Sequence, residues 1–494
     1  VELATLVARR GRMTEPRSVR RLPGVIAVVI AVLALGFVDR SDRPPLTPSG
    51  ARLATAFAPA ASPPDSLTST WYCPAGTATP GGQAEDTIVV FNPTQRRLRG
   101  TIDVVGSDGT RASRGITVEP RSHRVDAVGE ILHNPFVAAT VQLDGGGAVV
   151  EHGVLGPAGE ALGACASSAS TRWYMAAGAT TRAATLVYAL FNPFPDDAIV
   201  DLTFSTEQGR LTPAAFQGVV VPANSLVPLD VGSHVRRRAQ VSASIRARRG
   251  RVVVEALQIH NGDGRKGIAL TLGAPRTATS FVFPEGIAGP DRDEQLHMYN
   301  PNTEEAAVQL DLVLDSGEAQ PFELRVPAHD RVTIGLAGES RIPKGVGHSL
   351  LVRVSNGVPI AVGRTIDIGA APNRRGYISD IGATSAALHW GFAAGGASPN
   401  LNEFIAVTNE ATSDVRVDVT GTANGVLDAL PGLSGVNIPR GGRAVFYLGD
   451  HGVQGDRPIV VNASGPVVVE RTTLRPSGVG ASSVIGAVLT TDHG

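Results

Sequence analysis

The sequence predicts an all-β chain: four tandem immunoglobulin-like β-sandwich domains behind an N-terminal transmembrane helix and a Pro-rich linker. Three observations predict it. One pattern recurs four times at near-constant spacing, each copy reads as strands of period two, and helical periodicity is nearly absent after residue 38. Gly 57 and Pro 34 together are 91 of 494 residues, rich in turn formers but short of the roughly 25–30% that marks low complexity. At 43% hydrophobic residues the chain has material for several cores. Lys+Arg 44 against Asp+Glu 45 excludes the basic surplus that nucleic-acid binding needs.

The elements follow in chain order. Residues 1–21 form a basic segment, with Arg9, Arg10, Arg12, Arg17, Arg20 and Arg21 against Glu2 and Glu15. Leu22 to Val38 then runs without a charge for roughly 25 Å as a helix, the short end of a bilayer span. The arginine bias predicts a single-pass anchor with its N-terminus in the cytoplasm and the bulk of the chain outside. Met13 is an alternative start, and Ala34-Leu35-Gly36 offers small residues for a signal peptidase, but retention is the favoured reading. Residues 39–70, with Pro44, Pro45, Pro48, Pro59, Pro63 and Pro64, read as an extended spacer.

Four domains follow at 71–171, 172–280, 281–387 and 388–494. Each opens on an aromatic strand: Trp71-Tyr72-Cys73, Trp173-Tyr174-Met175, Phe281-Val282-Phe283 and His389-Trp390-Gly391-Phe392. Next comes an apolar strand that stops at Asn92, Asn192, Asn300 or Asn409, followed by Pro in three copies and by Glu410 in the fourth. Proline cannot donate to a central ladder, so the strand ends there. A proline corner recurs at Pro120, Pro222, Pro327 and Pro439. A Gly-bearing segment between β-branched runs closes each copy, and it reads as a hairpin. About seven strands per copy match the immunoglobulin-like count.

Cys73 and Cys165 stand near the two ends of the first domain, and an exported chain with an even count predicts that they pair. No HExxH, GxSxG, Walker or SxxK motif is present, and the eleven histidines show no ligand spacing. No catalytic residue, cofactor or metal site is expected. His260-Asn261-Gly262-Asp263-Gly264 lacks the glutamate of a calcium loop and reads as a turn. Glu151, Glu255 and Glu470 share one place in three copies, with Gly363 in the other; one per domain, they read as outward strand positions or edge charges. Arg236, Arg237, Arg238, Arg246, Arg248, Arg249 and Arg251 form the one dense charged patch. Their guanidinium forks suit an anionic cell-wall glycopolymer or an acidic envelope protein.

An arginine-flanked anchor, a Pro/Ala spacer, and repeats that open on Trp and carry the apolar-Asn-Pro strand end together resemble an actinobacterial family of exported, membrane-anchored proteins classed as a domain of unknown function. The resemblance implies an envelope location and genes near a cell-envelope glycosyltransferase. With Asn409-Glu410 the fourth copy reads as diverged or capping. The expected function is a non-enzymatic, membrane-tethered rod of sandwiches that scaffolds or binds an envelope partner. The alternative is a carbohydrate-recognition or glycan-processing accessory protein, with Trp71, Trp173 and Trp390 stacking on sugar rings. The oligomeric state does not follow from the sequence.

Overall fold

Period-two alternation sets strand after strand. The computed structural model describes residues 58–490, apart from positions 263, 288, 290, 318, 372, 373, 396, 397, 399 and 424. The basic segment, the apolar run 22–38, most of the linker and Asp263 lie outside these residues. Among the described residues no helix is long and apolar enough to cross a membrane, and the helical segments described are single 3-10 turns between strands.

The first set of strands is β1 (Ser69–Cys73), β2 (Glu85–Asn92), β3 (Leu98–Gly106), β4 (Arg111–Val118), β5 (Ser122–Ala127), β6 (Val137–Leu143), β7 (Val149–Gly156) and β8 (Gly159–Ala164). They form two antiparallel sheets, in the orders β1-β6-β3-β4 and β5-β2-β7-β8. Trp71, Ile88, Val90, Ile102, Val141 and Val150 meet in the core that includes both sheets. The same two orders recur from Arg172, from Ser280 and from Ala387. We refer to the four sets as repeats 1 to 4.

This pairing differs from the immunoglobulin order, in which the first two strands share a sheet and the second pairs the fifth. Here β1 pairs β6 across the chain. Nor is the Gly-bearing segment a hairpin. β6 and β7 lie in different sheets, so Asp144 to Ala148 carries the chain from one sheet to the other. In repeat 4 a single strand, Ile459–Leu474, pairs with strands of both sheets and needs no break. Glycine between two β-branched runs marks a reversal in either case, and sequence alone does not say whether the runs pair.

The strand that sequence reading overlooked is the last one of each repeat. β8, Lys266–Leu272, Arg374–Ile381 and Ala481–Ile485 pack each on the next, and the fourth packs back on β8. The repeats therefore close into a ring, and the expected open rod is not observed. Glycine allows the approach: a Cβ on Gly267 would lie 2.4 Å from the Tyr377 nitrogen, and one on Gly376 2.5 Å from the Ala481 Cβ. Shared apolar clusters cross every junction: Ala75 with Tyr188, Ala176 with Tyr299, Ile378 with Leu474, and Val149 with Ala393. Thr55–Gly494 is accordingly one compact unit.

Two local devices hold the repeats. In repeat 1 Cys73 and Cys165 form the expected disulfide, 92 residues apart, which on chain entropy alone adds up to about 4–5 kcal/mol. In all four repeats the turn asparagine is fully buried. Asn192 Nδ2 donates to the carbonyls of Asp196 (2.8 Å), Val221 (3.0 Å) and Pro222 (3.1 Å), while its Oδ1 accepts from Phe194 N. Asn92 and Asn409 make the same three bonds, and Asn300 donates to Glu304 and Val326. The side chain thus ties the strand end to the proline corner, and Glu410 leaves that bond unchanged in repeat 4.

Candidate functional site

The polar side chains with the greatest chemical potential lie inside the ring. Glu151, Glu255 and Glu470 are at most 2% exposed, which corrects the expectation of outward or edge positions. Each reaches into the preceding repeat. Glu255 accepts from Ala75 N (3.2 Å) and lies 3.1 Å from His152 Nε2. Glu470 accepts from Glu285 N (3.1 Å) and binds Arg364. Glu151 accepts from Ala393 N (2.9 Å), Ala394 N (2.6 Å) and Arg471 (3.0 Å), which closes the ring from repeat 4 to repeat 1.

The residue after each glutamate position supplies the cation for the next repeat. The series reads His152, Ala256, Arg364 and Arg471 against Glu255, Gly363, Glu470 and Glu151. A third position, six residues before the turn asparagine, reads Asp86, Leu186, Glu294 and Glu403. His152 Nδ1 lies 3.2 Å from Asp86, and Arg364 lies 3.8 Å from Glu294. Two junctions therefore carry an acid–cation–acid set, the ring-closing junction pairs Arg471 with Glu151, and the junction between repeats 2 and 3 carries Leu186, Ala256 and Gly363. All three members change together, as expected when one buried charge without its partners would cost several kcal/mol. This covariation inside one chain is the sequence signal that would have placed the glutamates at interfaces.

Electrostatics confirm that the groups act as sets. Burial alone would lower the His152 pKa, but Glu255 and Asp86 outweigh it and push it up to about 10. Burial raises both acids, with His152 opposing. The sign for stability follows. A histidine that titrates near 6.5 when unfolded and about 10 when folded contributes fully below 6.5, and that contribution is lost as pH rises through 10. The melting temperature is expected to fall between pH 7 and pH 10, and His152→Gln is expected to flatten that fall. Calorimetry across this range checks it; an unchanged slope would remove His152 from the set.

The four last strands line a half-open pocket of about 70 Å³, with Gly163, Leu270, Asp380, Ser483, Ala58 and Pro59 among its lining residues. That is room for water and none for a sugar ring. Asp380 is pushed up to about 6 by burial, with Arg364 opposing and Glu470 adding to the rise. Ser483 donates to Glu470, the arrangement of a hydroxyl beside a base, but Glu470 is bound by Arg364 and both are buried. The imidazole nitrogens of His152 are both engaged by carboxylates, and no group of three His, Cys, Asp or Glu able to hold a metal ion occurs among the described residues.

The arginine patch is divided. Arg236 to Arg238 precede the strand Val241–Arg249 and Arg246 to Arg251 end it, so eight residue steps, about 26 Å, separate its ends. Arg248 pairs with Asp201, Arg251 lies 4.5 Å over the Phe194 ring, and Arg236 and Arg238 donate to backbone carbonyls. Trp71, Trp173 and Trp390 are at most 2% exposed. Trp173 and Trp390 donate from Nε1 to the Val252 and Val467 carbonyls, so these rings serve the core and offer no face to a sugar.

The model of a family of unknown function (DUF5719) matches residues 148–427, more than half of the chain. The chain belongs to that family. The match begins beside β7 and ends in repeat 4, so it spans the three junctions that join repeats 1 to 4 in series. No curated protein matches the chain. Among solved structures, one titled Crystal Structure of Thermotoga maritima 1070 is 18% identical, covers 22% of this chain and 94% of its own, and has a TM-score of 0.20. A tetra-tandem repeat in the extending region of a large adhesion protein is 14% identical, covers 85% of this chain and 99% of its own, and has a TM-score of 0.11.

Proposed function

We propose that this DUF5719 chain is a non-enzymatic, membrane-anchored extracytoplasmic protein whose four tandem β-sandwich repeats form a closed scaffold for an envelope partner. One observation carries the reading. The interior acids, histidine and arginines that would supply chemistry are consumed in joining the repeats, which leaves the outer surface as the functional part. The paired cysteines fit an oxidising compartment, and the arginine-flanked run 22–38 supplies the tether.

A reporter enzyme that is active only outside the cytoplasm, fused after Gly494, tests location. The expected result is an active fusion that stays with the membrane fraction after an alkaline wash. An inactive fusion in the soluble fraction would overturn it. Cross-linking in intact cells, followed by identification of captured proteins, tests the scaffold role. Recurrent capture of an envelope protein supports it, and turnover of an envelope glycan by the purified protein would contradict it.

A further inference from the structure

Beyond the scaffold reading, a groove on the outer surface is built from both ends of the ring. It lies where repeat 1 meets repeat 4, has a volume of about 580 Å³, and is lined by Arg96, Arg121, His389, Asn462, Leu427 and Leu489 among others. That volume is the size of a small-molecule site. We propose that it binds a carboxylate or phosphate carried on a compact polar ring, the chemistry of an acidic sugar.

Comparison among the repeats carries the inference. Arg96 accepts the turn-asparagine bond at its carbonyl, where the other repeats use Asp196, Glu304 and Ser413. Arg121 holds the positive-φ turn position one residue past Pro120, which Asn224, His329 and Gly441 hold two residues past Pro222, Pro327 and Pro439; its N donates to the Thr94 carbonyl as those of Asn224 and His329 donate to Phe194 and Asn302. The turn therefore needs arginine at neither position. Arg121 also has φ 50, as Asn224 and His329 have φ 48 and 56, a region in which a long side chain is uncommon and asparagine is enriched.

The site is held rigid and left charged. Asn92 Oδ1 accepts from Thr94 N and Oγ1, and Arg121 N donates to the Thr94 carbonyl. Arg96 donates to the Pro64 carbonyl, which fixes its fork at the groove wall. Among the described residues no acid forms a salt bridge with Arg96 or Arg121; Asp65, the one acid in the lining, is exposed at the rim. His389 Nδ1 lies 2.8 Å from Asn462 Oδ1, which orients the ring. Leu427 and Leu489 supply an apolar floor for ring C–H groups, and two guanidiniums supply forks for an oxyanion.

Titration calorimetry of the full chain with glucuronate, glucose 6-phosphate and neutral glucose tests this. Glucuronate, glucose 6-phosphate or both are expected to bind at millimolar or tighter affinity, weakening with salt, with glucose at least tenfold weaker. Which of the two binds better distinguishes a carboxylate from a phosphate ligand. Arg96→Ser with Arg121→Asn, residues that repeats 4 and 2 already use, is expected to weaken binding at least tenfold with an unchanged melting temperature. Arg121→Lys, which keeps charge without the fork, is expected to fall between. Equal binding of glucose, no binding of either anion, or loss in Arg248→Ser but not in the double variant would overturn the proposal.

Discussion

Arg471→Leu is expected to lower the unfolding free energy by about 3–5 kcal/mol, because it leaves Glu151 buried beside Ala393 and Ala394 with no cation. Glu151, already raised by burial with Arg471 opposing, would have to take a proton to stay folded. The more informative variant replaces a whole set. Asp86→Leu, His152→Ala and Glu255→Gly together reproduce the residues at the junction of repeats 2 and 3, and are expected to cost less than His152→Ala alone. Buried ion pairs often break even against apolar replacements, whereas a single deletion strands a charge. Urea unfolding of the single, double and triple variants gives the coupling directly. Additive costs would contradict the reading of these residues as one set.

Asn192→Asp is the second large effect, again about 3–5 kcal/mol. The Nδ2 group donates to three carbonyls, and a carboxylate has no donor to give them and adds a buried charge. Asn192→Ala, which only leaves those carbonyls unpaired, is expected to cost about 1–3 kcal/mol. Thermal melts of the two variants should therefore rank aspartate below alanine. The opposite order would mean that the turn tolerates the site through solvent.

How much of this was legible in the sequence differs by element. The entry strands, turn asparagines and proline corners stand out because burial on one face imposes a period of two and a stop. The disulfide followed from two cysteines in a chain expected to be exported. The last strands did not show: GEALGA and ASSVI are short, small-residue runs without alternation, because they pack against other repeats on the face that would otherwise be polar. The glutamates were visible as a recurring position, but one residue type at one place does not say inward or outward. The neighbouring series His152, Ala256, Arg364 and Arg471 does, once it is shifted by one repeat. The groove at Arg96 and Arg121 joins residues from repeats 1 and 4, hundreds of positions apart, and only the closed ring brings them together.

Ring closure is the claim on which the scaffold and the groove both stand. Small-angle X-ray scattering of Thr55–Gly494, a unit of 440 residues, measures it. A compact chain of that length has a radius of gyration of about 22 Å, and the ring predicts a value close to it. Four sandwiches laid end to end, each roughly 30 Å long for strands of nine residues, would give roughly 35 Å. A value near the second figure would contradict the closed arrangement.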